Sequence, residues 1–268
     1  MPASGIPMID DYEKNGYLVL RRFFSETELY ELRQVVTHFH HEWKQQNAQF
    51  YAGSAINSAY LTAKKHLKDS ERESLFRFIG SGKLMTIVTS IMGERPAFMN
   101  TQLFFDPVNK AQRNYWHRDS QYHLSIEQQQ QALSGPKVVH FRVPLFDEPG
   151  VELIPGSHQR WDSDEELDVR LEQNGRKNDD GLSSGVAVPL NVGDLLIFSA
   201  TMIHRGIYGR DRLSLDILFC DPDPELIKFV DDHCLPGPDI MAKLENAVAF
   251  ECALASKTSN KIAATTKL

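Results

Sequence analysis

Residues 114–123, NYWHRDSQYH, place His117 two positions before Asp119. An imidazole and a carboxylate at that spacing can converge on one metal ion when the backbone between them is extended, because residues two apart then project to the same side. The pattern is weak by itself. Ten His and 36 acidic residues in 268 give about one such pair by chance, and the chain holds a second in His40-His41-Glu42. That second pair lies in a helical stretch, where residues two apart are rotated by roughly 200° and cannot share an ion. His40, His41 and Glu42 are expected on the surface.

A second signal is GDLLIFSATMIHRG, residues 193–206, in which a Gly-Asp turn feeds an apolar strand whose continuation delivers His204. Barrels bring such distant strands side by side. His117, Asp119 and His204 would then form the two-histidine, one-carboxylate triad that holds non-haem Fe(II) and leaves positions open for substrate and oxygen. His66, His140 and His233 lack such support and are read as packing or surface residues. The third signal is Arg212-Leu213-Ser214. A guanidinium and a hydroxyl two apart on a strand suit a carboxylate inside a barrel, and Arg210 is a competing anchor on the same face.

The elements that must carry these residues are legible in outline. A short helix ends at Gly16, YLVLRRF (17–23) is a strand, and Ser25 with Glu28 forms a capping box for a long helix whose stripe is Leu29, Leu32, Val36, Phe39 and Trp43. A second helical region, about residues 71–92, is broken near residue 80 by GSGK. From Ala97 onward AFMNTQLFFD, KVVHFRVPLF, GVELIPGS, GVAVPLNV, GDLLIFSA and RLSLDILFC are short strand runs, which indicate a sandwich or barrel rather than βαβ units. SIEQQQQALSG reads as a polar helix. The acidic insert 159–185 reads as a lid, or as a solvated helix with a flexible loop.

A net charge of -7 and a pI near 5.8 argue against a nucleic-acid or anionic-membrane surface. No stretch approaches the roughly 20 apolar residues of a spanning helix, and a cytoplasmic location is expected. Cys220, Cys234 and Cys252 form no CxxC pair and are expected as buried, inert thiols. Thr266-Lys267-Leu268 is similar to a peroxisomal address, with Thr in place of Ser.

From about Ile9 to Cys220 the chain resembles the phytanoyl-CoA dioxygenase family of Fe(II)- and 2-oxoglutarate-dependent oxygenases, with ectoine-hydroxylase-like motifs. The resemblance is carried by YEKNGYLVLRRFFS, YWHRD, VELIPGSH, VGDLLIFSATMIHRG and RLS, in that order. It implies a mainly β fold with flanking helices, a double-stranded β-helix or cupin-like jelly roll. His117, Asp119 and His204 take the metal positions, Arg212 the 2-oxoglutarate anchor, Ser214 a helper role, and Gln102 a further co-substrate contact. IPGSH (154–158) is read as a structural turn.

The expected organisation is one domain over 1–252, with a helical part at about 8–95, a barrel at about 96–222, a helical part at about 223–252, and a polar, mobile tail over 253–268. The implied reaction is hydroxylation of a small organic substrate with release of succinate and CO2, using Fe(II), 2-oxoglutarate and O2. Halogenating relatives lack the carboxylate, so Asp119 favours hydroxylation. Tyr122 and His123 are candidates for the substrate mouth. Arg142 is a candidate for an anionic substrate group if it faces inward, with a salt bridge to a nearby acid as the alternative. The competing readings are a metal-binding jelly-roll isomerase or hydrolase, and a catalytically silent binding barrel, neither using 2-oxoglutarate.

Overall fold

The structure is a computed structural model that describes residues 5–265, with side chains described for 9–260. Nine strands build its sheets: β1 Tyr17–Leu20, β2 Asn57–Ala59, β3 Ala97–Phe105, β4 Val138–Pro144, β5 Glu148–Leu153, β6 Val186–Leu190, β7 Leu195–Ser199, β8 His204–Gly206 and β9 Leu213–Cys220. They form a six-stranded sheet in the order β1-β7-β4-β9-β3-β2 and a three-stranded sheet in the order β6-β5-β8, paired antiparallel throughout. Val151, Leu153, Val188 and Leu190 of the small sheet pack on Leu196 and Phe198 of the large one, closing the jelly roll.

Strand alternation sorts the large sheet into two faces. Leu103, Phe105, Val139, Phe141, Val143, Leu195, Ile197, Leu215, Ile217 and Phe219 enter the main core beneath the helices. Their neighbours Gln102, Phe104, His140, Arg142, Phe198, Asp216 and Leu218 face the interior between the sheets. A bulge between Phe98 and Asn100 lets Met99 join that inner face. One face therefore holds the fold together and the other is free to carry chemistry.

The helices cover the outer face. In Glu26–Gln46 the Ser25 hydroxyl accepts from the Glu28 N–H while the Glu28 carboxylate accepts from the Ser25 N–H at 2.8 Å, and Leu29, Leu32, Val35, Val36, Phe39 and Trp43 are buried. Loss of such a cap costs about 1 kcal/mol. Helices Asp69–Ile79 and Gly82–Met92 meet at a 51° bend where sequence breaks the pattern at Gly80 and Ser81. No single helix among the described residues is long and apolar enough to cross a membrane.

Four expectations are revised. His40 is half-buried, 4.7 Å from the Phe105 ring and 5.8 Å from that of Tyr51, because it sits beside Phe39 on the stripe facing the sheet; His41 is exposed. The segment after 253 continues the helix Val248–Thr265, with Ala249, Phe250 and Ala253 buried in the core and Lys257 paired to Asp232 at 3.0 Å. Residues 266–268 lie outside the described residues. The helical N-terminal part adds to the large sheet not only the expected strand, β1, but also β2. Finally, the insert 159–185 carries the expected helix, but it is packed against the fold rather than loose, and none of its residues lines the cavity. Val169 of its helix Asp164–Arg170 and Leu182 pack with Trp116, Ile154 and Ile203, and its backbone accepts from Trp116 N (2.8 Å, Asn178) and Trp116 Nε1 (2.9 Å, Asp180). The three cysteines are free and buried, and burial pushes the Cys220 thiol up to about 12 and that of Cys234 to about 11.

Candidate active site

His117 lies just outside the regular strands, joined to His204 by two backbone hydrogen bonds of 3.0 and 2.9 Å that make a short antiparallel bridge. Arg118 is extended (φ -109, ψ 140), and Asp119 then opens a 3-10 turn through Tyr122. The single extended residue is what puts His117 and Asp119 on one side. His117 Nε2 and His204 Nε2 stand 3.5 and 3.6 Å from Asp119 Oδ1, and the three donor atoms all lie within 4.8 Å of one another. Each Nδ1 is already held by a backbone carbonyl at 3.0 Å, Tyr115 for His117 and Met202 for His204, which turns both Nε2 atoms toward the common centre.

The protonation states suit a cation. Burial lowers the His117 pKa, and burial together with His117 pushes His204 down to about 3, so both imidazoles are neutral. Burial opposes charge on Asp119, but His140 outweighs it and holds the carboxyl well below the usual carboxylate range. Two neutral imidazoles and an ionised carboxylate are the states in which these groups bind metal.

His140 is the residue the sequence reading set aside. Its Nε2 donates to Asp119 Oδ2 at 2.7 Å and its Nδ1 meets Asp216 Oδ2 at 3.1 Å, while Arg142 grips Asp216 at 2.6 and 2.9 Å. Burial opposes the imidazolium, yet Asp119 and Asp216 raise His140 to about 9. The result is an alternating chain of four charges that leaves Asp119 Oδ1 for the metal. Arg142 does face inward, but as the partner of Asp216. The signal was present in sequence as two alternations, His140-x-Arg142 and Ser214-x-Asp216, whose pairing across β4 and β9 becomes visible only with the register Arg142↔Asp216.

Arg118 points the other way, as expected. Its guanidinium donates to Asp162 Oδ1 (2.9 and 2.7 Å) and to the carbonyls of Ser157, Arg160 and Thr201, and Asp162 also binds Arg170 at 2.7 Å. IPGSH works on the same side: the Ser157 hydroxyl accepts from Ile203 N at 2.9 Å, immediately before His204. The acidic insert thus clamps both ligand segments from behind.

The other end of the interior belongs to Arg212, which is buried. Its Nη1 donates to Ile207 O at 3.2 Å, its ring neighbours are Tyr208 and Phe104, and its Nε has no hydrogen bond. Gly206 makes the room, since a Cβ there would sit 2.6 Å from Arg212 Nη1. Burial and nearby Arg142 both work against charge on Arg212, a deficit that a bound carboxylate relieves. Arg210 is exposed in the turn at φ 62 and lies off the cavity wall. Ser214 is buried and also off the wall, its hydroxyl given to Glu148 Oε2 at 2.6 Å, so it is engaged by this chain rather than offered to a co-substrate.

These groups share one cavity of about 1180 Å³. Gln102, Arg212, the three donor residues, Tyr122 and His123 all line it. Tyr122 donates its hydroxyl to that of Tyr115 at 2.8 Å, and His123 lies 5.4 Å from the Phe229 ring. Tyr115, inside the ligand motif, and Phe229, in a stretch with no pattern to flag it, also line the cavity.

A jelly roll with a two-histidine, one-carboxylate centre and a buried guanidinium in the same cavity defines an oxygenase-type enzyme. The chain belongs to the phytanoyl-CoA dioxygenase (PhyH) family, whose profile matches residues 12–207 and so ends before Arg212. The family works with Fe(II), 2-oxoglutarate and O2, and the donor set here fits that metal. Solved structures that the chain is similar to include AviO1 from Streptomyces viridochromogenes Tue57, at 17% identity over 83% of this chain and 97% of that one, TM-score 0.59. EctD from S. alaskensis, solved with 2-oxoglutarate and 5-hydroxyectoine, gives 15% identity, 82% and 77% coverage, and a TM-score of 0.58. The α-ketoglutarate-dependent epimerase SnoN from nogalamycin biosynthesis gives 16% identity, 83% and 82% coverage, and a TM-score of 0.53. At such identities the likeness is one of fold. A sequence search of curated proteins gave no match.

Proposed function

We propose that the protein is an Fe(II)- and 2-oxoglutarate-dependent hydroxylase of a small organic molecule. The observation that carries this reading is the pairing, in one cavity, of three metal donors in their binding protonation states with a buried guanidinium whose Nε makes no hydrogen bond and has only Asp106 nearby, at 3.7 Å. His117, His204 and Asp119 hold the metal, with Asp119 fixed through Oδ2 by His140. Arg212 anchors the far carboxylate of 2-oxoglutarate, and Gln102, on the same wall, contacts that co-substrate. Phe104, Phe198 and Leu218 line the space beside them and keep water out of it. Bound iron, with 2-oxoglutarate and O2, supplies the oxidising power that replaces C–H by C–OH as succinate and CO2 are released. The carboxylate of Asp119 occupies the place a halide would need, which favours hydroxylation over halogenation.

The test is uncoupled turnover of the full chain with Fe(II), ascorbate and 2-oxoglutarate. Succinate is expected, falling to the enzyme-free level in Asp119→Ala. Arg212→Ala weakens 2-oxoglutarate binding and Arg210→Ala does not. Iron binding without 2-oxoglutarate affinity would overturn the reading. Once a substrate is found, label from 18O2 in the organic product separates hydroxylation from epimerisation, which leaves none there.

A further inference from the structure

The cavity divides into two chemistries. At its inner end each charged group meets one of opposite sign: Arg142 with Asp216 at 2.6 Å, His140 with Asp119 at 2.7 Å, and Arg212 facing Asp106 at 3.7 Å. Farther from these, the wall is formed by Met99 and Val138 of the sheet and by Leu124, Leu226 and Phe229 from beyond it. Among the described residues only two basic groups line that outer part. His123 lies against the Phe229 ring at 5.4 Å, and Lys228 pairs with Glu225 at 2.7 Å while half exposed. The acids are equally committed, Glu225 to Lys228 and Asp223 to the Glu225 N–H at 2.8 Å. What remains polar is uncharged: the amides of Asn57, Gln128 and Gln131 and the hydroxyls of Tyr115 and Tyr122.

A carboxylate or phosphate placed against this wall would lose water and meet only basic groups already engaged, Lys228 by Glu225 and His123 against Phe229. The volume is large as well. Sites of about 300–1000 Å³ hold drug-sized ligands, so a cavity of about 1180 Å³ accommodates both 2-oxoglutarate and such a molecule.

We infer that the substrate is a neutral, mostly apolar molecule of drug-like size, bearing hydroxyl, ether or carbonyl groups for the amides and tyrosines, and not a carboxylate, a phosphonate or a coenzyme A thioester. The inference rests on the hydroxylase reading, because that reading gives Arg212 to the co-substrate. It removes the anionic substrate that Arg142 suggested in sequence, since Asp216 occupies that guanidinium.

The test compares pyrenebutanol with pyrenebutyrate, two probes of one size that differ in charge, by fluorescence titration of the full chain with Mn(II) and 2-oxoglutarate present. The alcohol is expected to bind at least about tenfold tighter. Met99→Lys, or Leu226→Lys should the first not fold, is expected to reverse the order. Equal or tighter binding of the carboxylate to the unaltered chain overturns the inference, as does failure of the alcohol to bind. The visible band of the anaerobic Fe(II) and 2-oxoglutarate complex keeps the two readings apart. Its absence counts against the hydroxylase, whereas its presence with a carboxylate preference counts only against the neutral substrate.

Discussion

His117-x-Asp119 and His40-x-Glu42 are the same two-residue pattern in two parts of one chain, and they have opposite fates. At 117–119 the backbone is extended, both side chains face one point, and His204 and His140 complete the surroundings. At 40–42 the backbone is helical; His40 turns toward Phe105 and Tyr51, while Glu42 reaches back to His38 at 3.9 Å. The pattern names donors, but backbone geometry decides whether they meet, and neighbours decide whether they are held.

The largest expected effect separates the two outright. His117→Ala lowers 2-oxoglutarate turnover to background while leaving the circular dichroism spectrum unchanged, and His41→Ala changes neither. Next comes the clamp. Arg118→Met strips three carbonyls of their donor and leaves Asp162 with Arg170 alone, at about 1–3 kcal/mol of stability. This is read as a lower denaturant midpoint at constant slope. A smaller loss tests support rather than ligation: His140→Phe keeps all three donors but frees Asp119 Oδ2, and Mn(II) affinity should fall about 10- to 100-fold. An unchanged Mn(II) affinity would show that Asp119 needs no such partner.

The smallest effect lies at the other motif and has the opposite sign. Burial, with Lys44 nearby, pushes His40 down from 6.5 to about 4. The unfolded chain therefore takes up that proton first as pH falls, so the stability carried by neutral His40 is intact above about pH 6.5 and is lost toward about pH 4. His40→Leu removes the liability: relative to the unaltered protein it gains stability near pH 5 and little near pH 8. A gain that is the same at both pH values would show that packing, not protonation, is responsible.

What sequence could show follows from which interactions are local. The capping box at Ser25, the break at Gly80, the strand runs and His117, Asp119 and His204 are written in spacing, and the structure brings those three together. Arg212 was readable as a candidate, but its advantage over Arg210 was not. That choice depends on a turn that throws Arg210 outward and on Gly206, from a strand of the other sheet, leaving space for the guanidinium. His140 escaped because its role needs the register of β4 against β9, set by strands some seventy residues apart. The packing of the insert was hidden for a related reason. Its composition is that of a loop, but in the interior Asp162 is held between Arg170 of the insert and Arg118, a partner no local pattern identifies.

The most direct test of the account is the stoichiometry of anaerobic Fe(II) binding in three chains: the unaltered protein, His40→Ala and His204→Ala. One Fe(II) per chain is predicted for the first two and none for His204→Ala. Undiminished binding in His204→Ala, or its loss in His40→Ala, would contradict it.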